Sequence, residues 1–220
     1  MHIQYIIGHT VGGNIINYMK DKVYDLMKNN KGMSCVHKYI HILHSLIETY
    51  KLEGDMVEMG CYYGGSSMVI SYMNDDKQLY VYDSFEGLPD KHINDGNDMF
   101  FTKGILKLNE IDLINNFKNN NIKLPIVKKA WFSDLTKDDI PKKISFAFLD
   151  GDFYESIKDS LNLIYNNVVP GGIILIDDYN HEALPGVQLA VDEFLKNKND
   201  CIHKECEHPS LVKMYKIKKL

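Results

Sequence analysis

Residues 54–67 read GDMVEMGCYYGGSS, an apolar run that ends on Glu58 and continues into a glycine-rich turn. Because glycine has no Cβ and tolerates positive φ, such a turn allows a ligand to contact the backbone. A helical pattern begins at about Ser66, and the N–H groups at a helix N-terminus point towards a ligand bound there. The stretch therefore predicts a strand, a ligand-binding turn and a helix. The alternative is a turn that needs glycine only for its own backbone geometry.

The spacing of these glycines indicates the kind of ligand. It is E-x-G-x-x-x-G-G, whereas dinucleotide-binding folds carry G-x-G-x-x-G at this place. The difference favours a smaller zwitterionic ligand, the amino-acid end of S-adenosylmethionine. Asp83 ends the next predicted strand, where an acid is placed to accept hydrogen bonds from both ribose hydroxyls, unless it only caps a turn. The candidate cofactor residues in these segments are Glu58, Gly60, Cys61, Gly64, Gly65, Ser66 and Asp83.

The composition is that of an ordinary soluble protein of one main domain. The chain has 220 residues, of which 45% are hydrophobic and 25% charged, enough for one hydrophobic core. The net charge of −5 indicates no nucleic-acid partner, and no apolar run approaches the roughly 18 residues of a membrane span. The N-terminus shows no signal-peptide pattern, and the four cysteines form no C-x-x-C pair. We therefore expect a cytoplasmic protein with no membrane partner.

Strand and helix patterns alternate after an N-terminal arm. We assign residues 1–32 to this arm, with a short helix around 14–28, and residues 33–220 to the main domain. After a helix that starts near Val36, the predicted helices cover 66–73, 105–119, 154–168 and 186–196. The predicted strands cover 55–59, 78–83, 124–128, 144–150, 171–177, 201–206 and 211–217. This order predicts an α/β fold in which helices cover both faces of a parallel sheet and a C-terminal hairpin completes it.

A long polar loop, residues 88–104, carries Phe100 and Phe101 between the second strand and the next helix. Loops of this length in a compact domain often act as lids. We expect it to close over a bound ligand. The alternative is a surface loop whose phenylalanines pack on the core.

Acidic residues stand where the fourth and fifth strands end: Asp150 after one, Asp177 and Asp178 after the other. Because neighbouring parallel strands end at the same edge of a sheet, we expect these carboxylates to converge. Their mutual repulsion raises their pKa values or recruits a cation. Oxygen ligands favour Mg²⁺, with Mn²⁺ or Ca²⁺ as alternatives. The other interpretation is that the acid pair only caps the following loop.

A metal beside a methyl donor suggests methyl transfer to a hydroxyl group, because a bound divalent ion lowers the pKa of an oxygen that it coordinates. A general base is then needed for the hydroxyl proton. Asp150 or Asp152 is a candidate for this role. His181 is the alternative, as the imidazole nearest in sequence to the acid pair.

Six stretches together resemble the macrocin O-methyltransferase family, which methylates sugars of macrolide antibiotics. The match covers most of residues 33–196, and its most specific part is LDGDxYES followed by PGGxxxxDDY. The stretches are GDMVEMGCYYGGSS, YDSFEGLP (82–89), KKAWFSD (128–134), FLDGDFYESIKDSL (148–161), VVPGGIILIDDY (168–179) and PGVQLAVDEF (185–194).

The resemblance implies a class I methyltransferase fold with seven strands, S-adenosylmethionine as the donor, and Mg²⁺ held by Asp150, Asp177 and Asp178. It also implies that the cofactor contacts Ser84, Asp150 and the segment Ala130, Trp131 and Phe132, which borders the adenine. We therefore expect an O-methyltransferase that acts on a sugar hydroxyl of a glycan or a glycosylated metabolite. We also expect a homo-oligomer of two or more chains.

Two positions depart from the family pattern. Tyr63 stands where the family usually has arginine, which bears on cofactor or oligomer contacts, and Ala130 stands where it has glycine.

Two other functions remain open. Catechol-type O-methyltransferases carry a lysine base three residues after the first metal-binding acid, where this chain has Phe153. The other is a non-catalytic nucleotide-binding domain of the same fold, against which the presence of all three acids, Asp150, Asp177 and Asp178, argues.

Overall fold

The structure is a computed structural model that describes residues 14–29, 36–73, 76–206 and 213–220. The α-helices in these ranges are α1 (Asn14–Asn29), α2 (Val36–Thr49), α3 (Gly65–Met73), α4 (Glu110–Asn119), α5 (Tyr154–Ile164) and α6 (Pro185–Leu195). The strands are β1 (Asp55–Met59), β2 (Leu79–Asp83), β3 (Ile126–Lys129), β4 (Ile144–Leu149), β5 (Val168–Ile176), β6 (Cys201–Glu205) and β7 (Tyr215–Lys219).

These strands form one sheet in the order β3-β2-β1-β4-β5-β7-β6. Strands β1 to β5 pair in parallel, and β7 runs antiparallel to both β5 and β6. The chain first builds outwards from β1 to β3 and then continues on the other side of β1 with β4. The strand order therefore reverses between β1 and β4. The predicted α/β fold, with a mostly parallel seven-stranded sheet and a C-terminal antiparallel hairpin, is confirmed.

Helices cover both faces of the sheet because its central strands are apolar on both sides. Every residue of β4 is buried. Phe146 and Phe148 pack in the core that α1 to α4 cover, whereas Ala147 and Leu149 pack in the core beneath α5 and α6. This alternation follows from the two-residue period of a strand. Two hydrophobic cores thus hold the sheet between them.

The helix predicted over 105–119 begins only at Glu110. Leu106 adopts a left-handed backbone conformation with φ of 65°, which a helix cannot contain. Ile105 accepts a hydrogen bond from the N–H of Leu88 at 2.9 Å. Residues 105 and 106 therefore close the base of the 88–104 loop instead of starting the helix.

The boundary between α5 and β5 also differs from the prediction. The helix predicted over 154–168 ends at Ile164 and is followed by a 3₁₀ turn. Strand β5 begins at Val168 rather than at residue 171, because Val168 pairs with Ile144 across a register shift. The register shift lies between Ile144 and Phe146 of β4, opposite the Pro-Gly-Gly segment of β5.

Some predictions lie outside the described residues. These are the first thirteen residues of the arm, the boundary between residues 32 and 33, and the hairpin turn with the start of its last strand, residues 207–212. The helix predicted around 14–28 is found as α1. Within the described ranges, every helix is too short or too polar to cross a membrane.

Gly60, which follows β1, is a point of very close backbone approach. Its φ is +88°, and a Cβ there would lie 2.1 Å from the backbone oxygen of Asp150. Gly60→Ala is expected to lower the free energy of unfolding by more than the roughly 1–3 kcal/mol that backbone strain alone costs, as measured by urea denaturation. Gly104→Ala is the matched control, since Gly104 has a similar φ of +81° but nothing within 4 Å of an added Cβ. Equal losses in the two variants would contradict the role of this contact.

Candidate functional site

Backbone hydrogen bonds hold the carboxyl ends of the five parallel strands level with one another. Each joins the N–H of the residue that follows one strand to a carbonyl of the neighbouring strand, at 2.9 Å. The donor and acceptor pairs are Ala130 and Asp83, Gly60 and Tyr82, Asp150 and Met59, and Asp177 and Leu149. Residues that follow these strands therefore meet where the strand order reverses, which is the usual ligand site of an open α/β sheet.

A cavity of about 580 Å³ lies at this edge of the sheet. The predicted cofactor residues line it, with the exception of Glu58 and Gly64, which are described but lie outside the lining. The glycine turn contributes Gly60, Cys61, Gly65 and Ser66. The segment after β3 contributes Ala130, Trp131 and Phe132, and β2 is followed by Ser84.

Glu58 supports the turn from beneath rather than lining the cavity. Its carboxylate is fully buried and accepts hydrogen bonds from the hydroxyls of Ser66 and Ser67, in the first turn of α3. The end of β1 is thereby tied to the start of α3. Burial raises the pKa of Glu58 to about 8, although the two serine hydroxyls and Lys38 act in the opposite direction.

Asp83 lines the cavity and is oriented by the backbone on both sides of it. Its Oδ2 accepts a hydrogen bond from the N–H of Cys61 at 2.9 Å, and its Oδ1 accepts one from the N–H of Phe85 at 2.7 Å. Oδ2 also accepts hydrogen bonds from the N–H of Tyr62 at 3.4 Å and from the thiol of Cys61 at 3.5 Å. A carboxylate has about four lone-pair positions, so the clearest remaining capacity for a ligand hydroxyl is on Oδ1.

Left-handed backbone conformations occur just after four of the strands. Tyr62, Phe85, Asp152 and Asp178 have φ of 48°, 54°, 58° and 55°. They follow β1, β2, β4 and β5 respectively, two or three residues after each strand ends. Such conformations cost about 1–3 kcal/mol each and concentrate at functional sites. Here they turn the chain sharply. Tyr62, Asp152 and Asp178 line the cavity, whereas Phe85 is buried in the core.

Asp150, Asp177 and Asp178 converge as predicted. One carboxylate oxygen from each lies within 4.8 Å of the others, and Asp152 lines the same cavity. Burial, followed by the charges of Asp177, Asp150 and Asp152, raises the pKa of Asp178 to about 9. Burial is also the largest reason why the pKa values of Asp150 and Asp152 are raised. The group therefore has the chemistry of a cation site, with oxygen donors only.

Lys38, which the sequence did not identify, reaches this group from the first turn of α2. Its Nζ lies 2.6 Å from Asp150 Oδ2 and 2.5 Å from Asp177 Oδ2. Burial lowers the pKa of Lys38, but the two carboxylates outweigh burial and hold the pKa well above its usual value. Lys38 therefore carries a proton and a positive charge. No spacing rule could have found it, because 112 residues separate it from Asp150.

His181, a described residue, does not line the cavity. Its ring contacts Phe101 edge to face, with 6.3 Å between centroids, and its Nδ1 accepts a hydrogen bond from the N–H of Ala183 at 3.3 Å. Asp152, in contrast, faces the cavity. The geometry thus favours Asp152 over His181 as the candidate base.

The 88–104 loop is anchored in its middle and exposed near its end. Asp95, 1% exposed, accepts hydrogen bonds from the N–H groups of His92 and Tyr154, at 2.7 and 2.6 Å. Phe101 packs against the core, whereas Met99 and Phe100 are 88% and 63% exposed. Leu88 and Pro89 of the loop line the cavity. Both belong to the YDSFEGLP stretch, so the sequence could have identified them as site residues. Closure of the loop stays a prediction.

The fold is that of class I methyltransferases. The solved structure of the O-methyltransferase NovP matches this chain with a TM-score of 0.70 and 25% identity, over 84% of this chain and 80% of that one. The model of the TylF, or macrocin-O-methyltransferase, family matches residues 27–208. The chain belongs to this family, as the resemblance had suggested.

Two curated relatives come from Streptomyces. Demethyldecarbamoylnovobiocin O-methyltransferase of Streptomyces niveus is 29% identical over 64% of this chain. The 8-demethyl-8-(2,3-dimethoxy-alpha-L-rhamnosyl)-tetracenomycin-C 4'-O-methyltransferase of Streptomyces olivaceus is 31% identical over 59% of it. The matched part spans only 58% and 54% of these relatives' own lengths.

Glu58 provides a test of the turn by pH. In the folded chain its pKa is about 8, while in the unfolded chain it is near 4.3. The folded state therefore keeps the carboxyl proton of Glu58 to a higher pH than the unfolded state does. The contribution of this proton to the free energy of unfolding is complete below about pH 4 and is lost as the pH rises to about 8. Glu58→Gln cannot ionise, so its free energy of unfolding relative to the parent is expected to rise over this range by a few kcal/mol, at about 1.4 kcal/mol per pKa unit.

Denaturant unfolding of the parent and Glu58→Gln at several pH values measures this difference. Glu182→Gln, at an exposed position, is the control and should follow the parent throughout. A constant difference between the parent and Glu58→Gln from pH 4 to 8 would contradict the raised pKa.

Proposed function

We propose that the chain is an S-adenosylmethionine-dependent O-methyltransferase that methylates a sugar hydroxyl of a glycan or glycosylated metabolite, with the help of Mg²⁺. The observation that carries the proposal is that one cavity contains the glycine turn, Asp83 and the acid cluster of Asp150, Asp177 and Asp178. Membership of the TylF family and the sugar-directed name of one relative support the kind of acceptor.

The cofactor is assigned to the half of the cavity between β1 and β3. The turn from Gly60 to Ser66 presents the N-terminus of α3, whose N–H groups favour a carboxylate. Asp83 would accept the ribose hydroxyls, and Trp131 and Phe132 offer flat apolar surfaces for a purine. When bound, S-adenosylmethionine supplies a methyl group from its sulfonium centre to the acceptor oxygen.

The acids after β4 and β5 fit a hard divalent cation. Asp152 brings the number of carboxylates to four, beside the one ammonium group of Lys38. If all four carboxylates were ionised, the formal net charge of the group would be −3. Asp150, Asp177 and Asp178 would hold the ion, since carboxylate oxygens are the donors that Mg²⁺ prefers. When bound, such an ion lowers the pKa of a hydroxyl that it coordinates.

Asp152 is the proposed general base. It lines the cavity beside Asp150, and burial together with the charge of Asp150 raises its pKa. A carboxylate with a raised pKa holds a proton more strongly and so is a better base. His181 is the weaker candidate, because its ring lies against Phe101 outside the cavity lining.

A catechol-type acceptor is the second candidate. The lysine base of that class would stand at Phe153, which is 1% exposed and packs in the core beneath α5 and α6. A buried phenylalanine cannot accept a proton, so this observation favours the sugar acceptor. The homo-oligomer and the cytoplasmic setting stay predictions.

Asp83→Ala is expected to weaken binding of S-adenosylhomocysteine at least tenfold. Each lost bond from a ribose hydroxyl to the carboxylate contributes about 1.5–3 kcal/mol, and isothermal titration calorimetry measures the sum. Asp83→Asn keeps the shape of the side chain, and Asp138→Ala removes an exposed acid outside the cavity lining. Unchanged affinity in Asp83→Ala, or an equal loss in Asp138→Ala, would argue against the ribose assignment.

Transfer of a labelled methyl group from S-adenosylmethionine to a panel of glycosides and catechols tests the reaction itself. We expect a labelled glycoside, complete loss of turnover in EDTA, and recovery with Mg²⁺. Asp177→Asn should lower the rate at least a hundredfold, on the order of 3 kcal/mol, while S-adenosylhomocysteine still binds. Full turnover in chelator would eliminate the metal role, and exclusive labelling of catechols would favour the second candidate.

A further inference from the structure

Two carboxylates of the acid cluster already bind a cation that belongs to the chain. Lys38 Nζ is in direct contact with Asp150 Oδ2 at 2.6 Å and with Asp177 Oδ2 at 2.5 Å. Mg²⁺ binds its oxygen ligands at about 2.1 Å. An ion coordinated by the same two oxygens would therefore stand where the ammonium group stands, and the two cations cannot be present together.

The position of Lys38 is explained by the acids and not by its own helix. It lies in the first turn of α2, which contains no acidic residue, and the positive end of the helix dipole disfavours a cation there. Its side chain is only 11% exposed. The ammonium group also lies 5.3 Å from the centroid of the Phe148 ring, within the range of a cation–π contact. The two ion pairs and this ring hold a charge that the helix terminus would repel.

We propose that Lys38 is a built-in competitor of the divalent cation: it neutralises Asp150 and Asp177 until a cation displaces it from between them. The inference rests on the metal site of the proposed function. It assigns to Lys38 a positioning role, which is to keep the two carboxylates together in the metal-free chain and to set the affinity for the ion. Withdrawal of the lysine is then part of metal binding.

Variants at position 38 separate charge from packing. Lys38→Met and Lys38→Gln remove the charge with different side chains, and Lys38→Arg keeps it. Lys143→Met is the matched control, because Lys143 also forms an ion pair at 2.7 Å, with Glu53, but is exposed and precedes β4 at the opposite end of the sheet. Loss of a nearby positive charge favours binding of a divalent cation by Coulomb's law.

Calorimetric titration of the metal-stripped full chain with Mn²⁺ measures the competition without any turnover. We expect both neutral variants to bind Mn²⁺ at least tenfold more tightly than the parent, and Lys38→Arg and Lys143→Met to stay within threefold of it. Thermal unfolding should show the neutral variants less stable than the parent without metal and more strongly stabilised by Mn²⁺, which also establishes that they fold.

The outcomes distinguish this inference from the function on which it rests. If the parent binds Mn²⁺ and the neutral variants bind it equally or more weakly, the competition is refuted while the metal site stands. If neither the parent nor any variant binds Mn²⁺, the metal part of the proposed function fails and the competition fails with it.

Discussion

The concentration of negative charge at one edge of the sheet is the constraint on which the site depends. Parallel strands β4 and β5 end side by side, so Asp150, Asp177 and Asp178 come within 4.8 Å of one another. At an effective dielectric constant of 20, two unit charges 4 Å apart interact with about 4 kcal/mol. The structure meets this cost with raised carboxyl pKa values and with the ammonium group of Lys38.

The scaffold makes this arrangement possible by keeping the strand ends rigid. Two hydrophobic cores hold the sheet, and backbone hydrogen bonds hold neighbouring strand ends level. Gly60 lets β1 approach the carbonyl of Asp150 more closely than any side chain would permit. Buried Glu58 then fixes the start of α3 through two serine hydroxyls. Burial and backbone contacts, rather than flexible loops, therefore determine where the acids and the turn stand.

Local spacing predicted the parts of the site that belong to single strand ends. The glycine turn and the three acids each follow an apolar strand, and Asp83 ends one. Parallel pairing brings such positions to one edge of the sheet. Local spacing could not identify Lys38, because its role arises only from tertiary contact between α2 and the ends of β4 and β5. Glu58 was assigned to the ligand, whereas its burial makes it a support. The helix predicted from residue 105 was wrong at its start because a loop closure overrides helical periodicity there.

A crystal structure of the chain with S-adenosylhomocysteine and Mn²⁺, with data collected at the manganese absorption edge, would locate the metal and the cofactor in the cavity. We expect an anomalous peak among Asp150, Asp177 and Asp178, a displaced Lys38 side chain, and a ribose against Asp83. An anomalous peak elsewhere, or a nucleoside bound away from Asp83 and outside the cavity, would contradict both assignments.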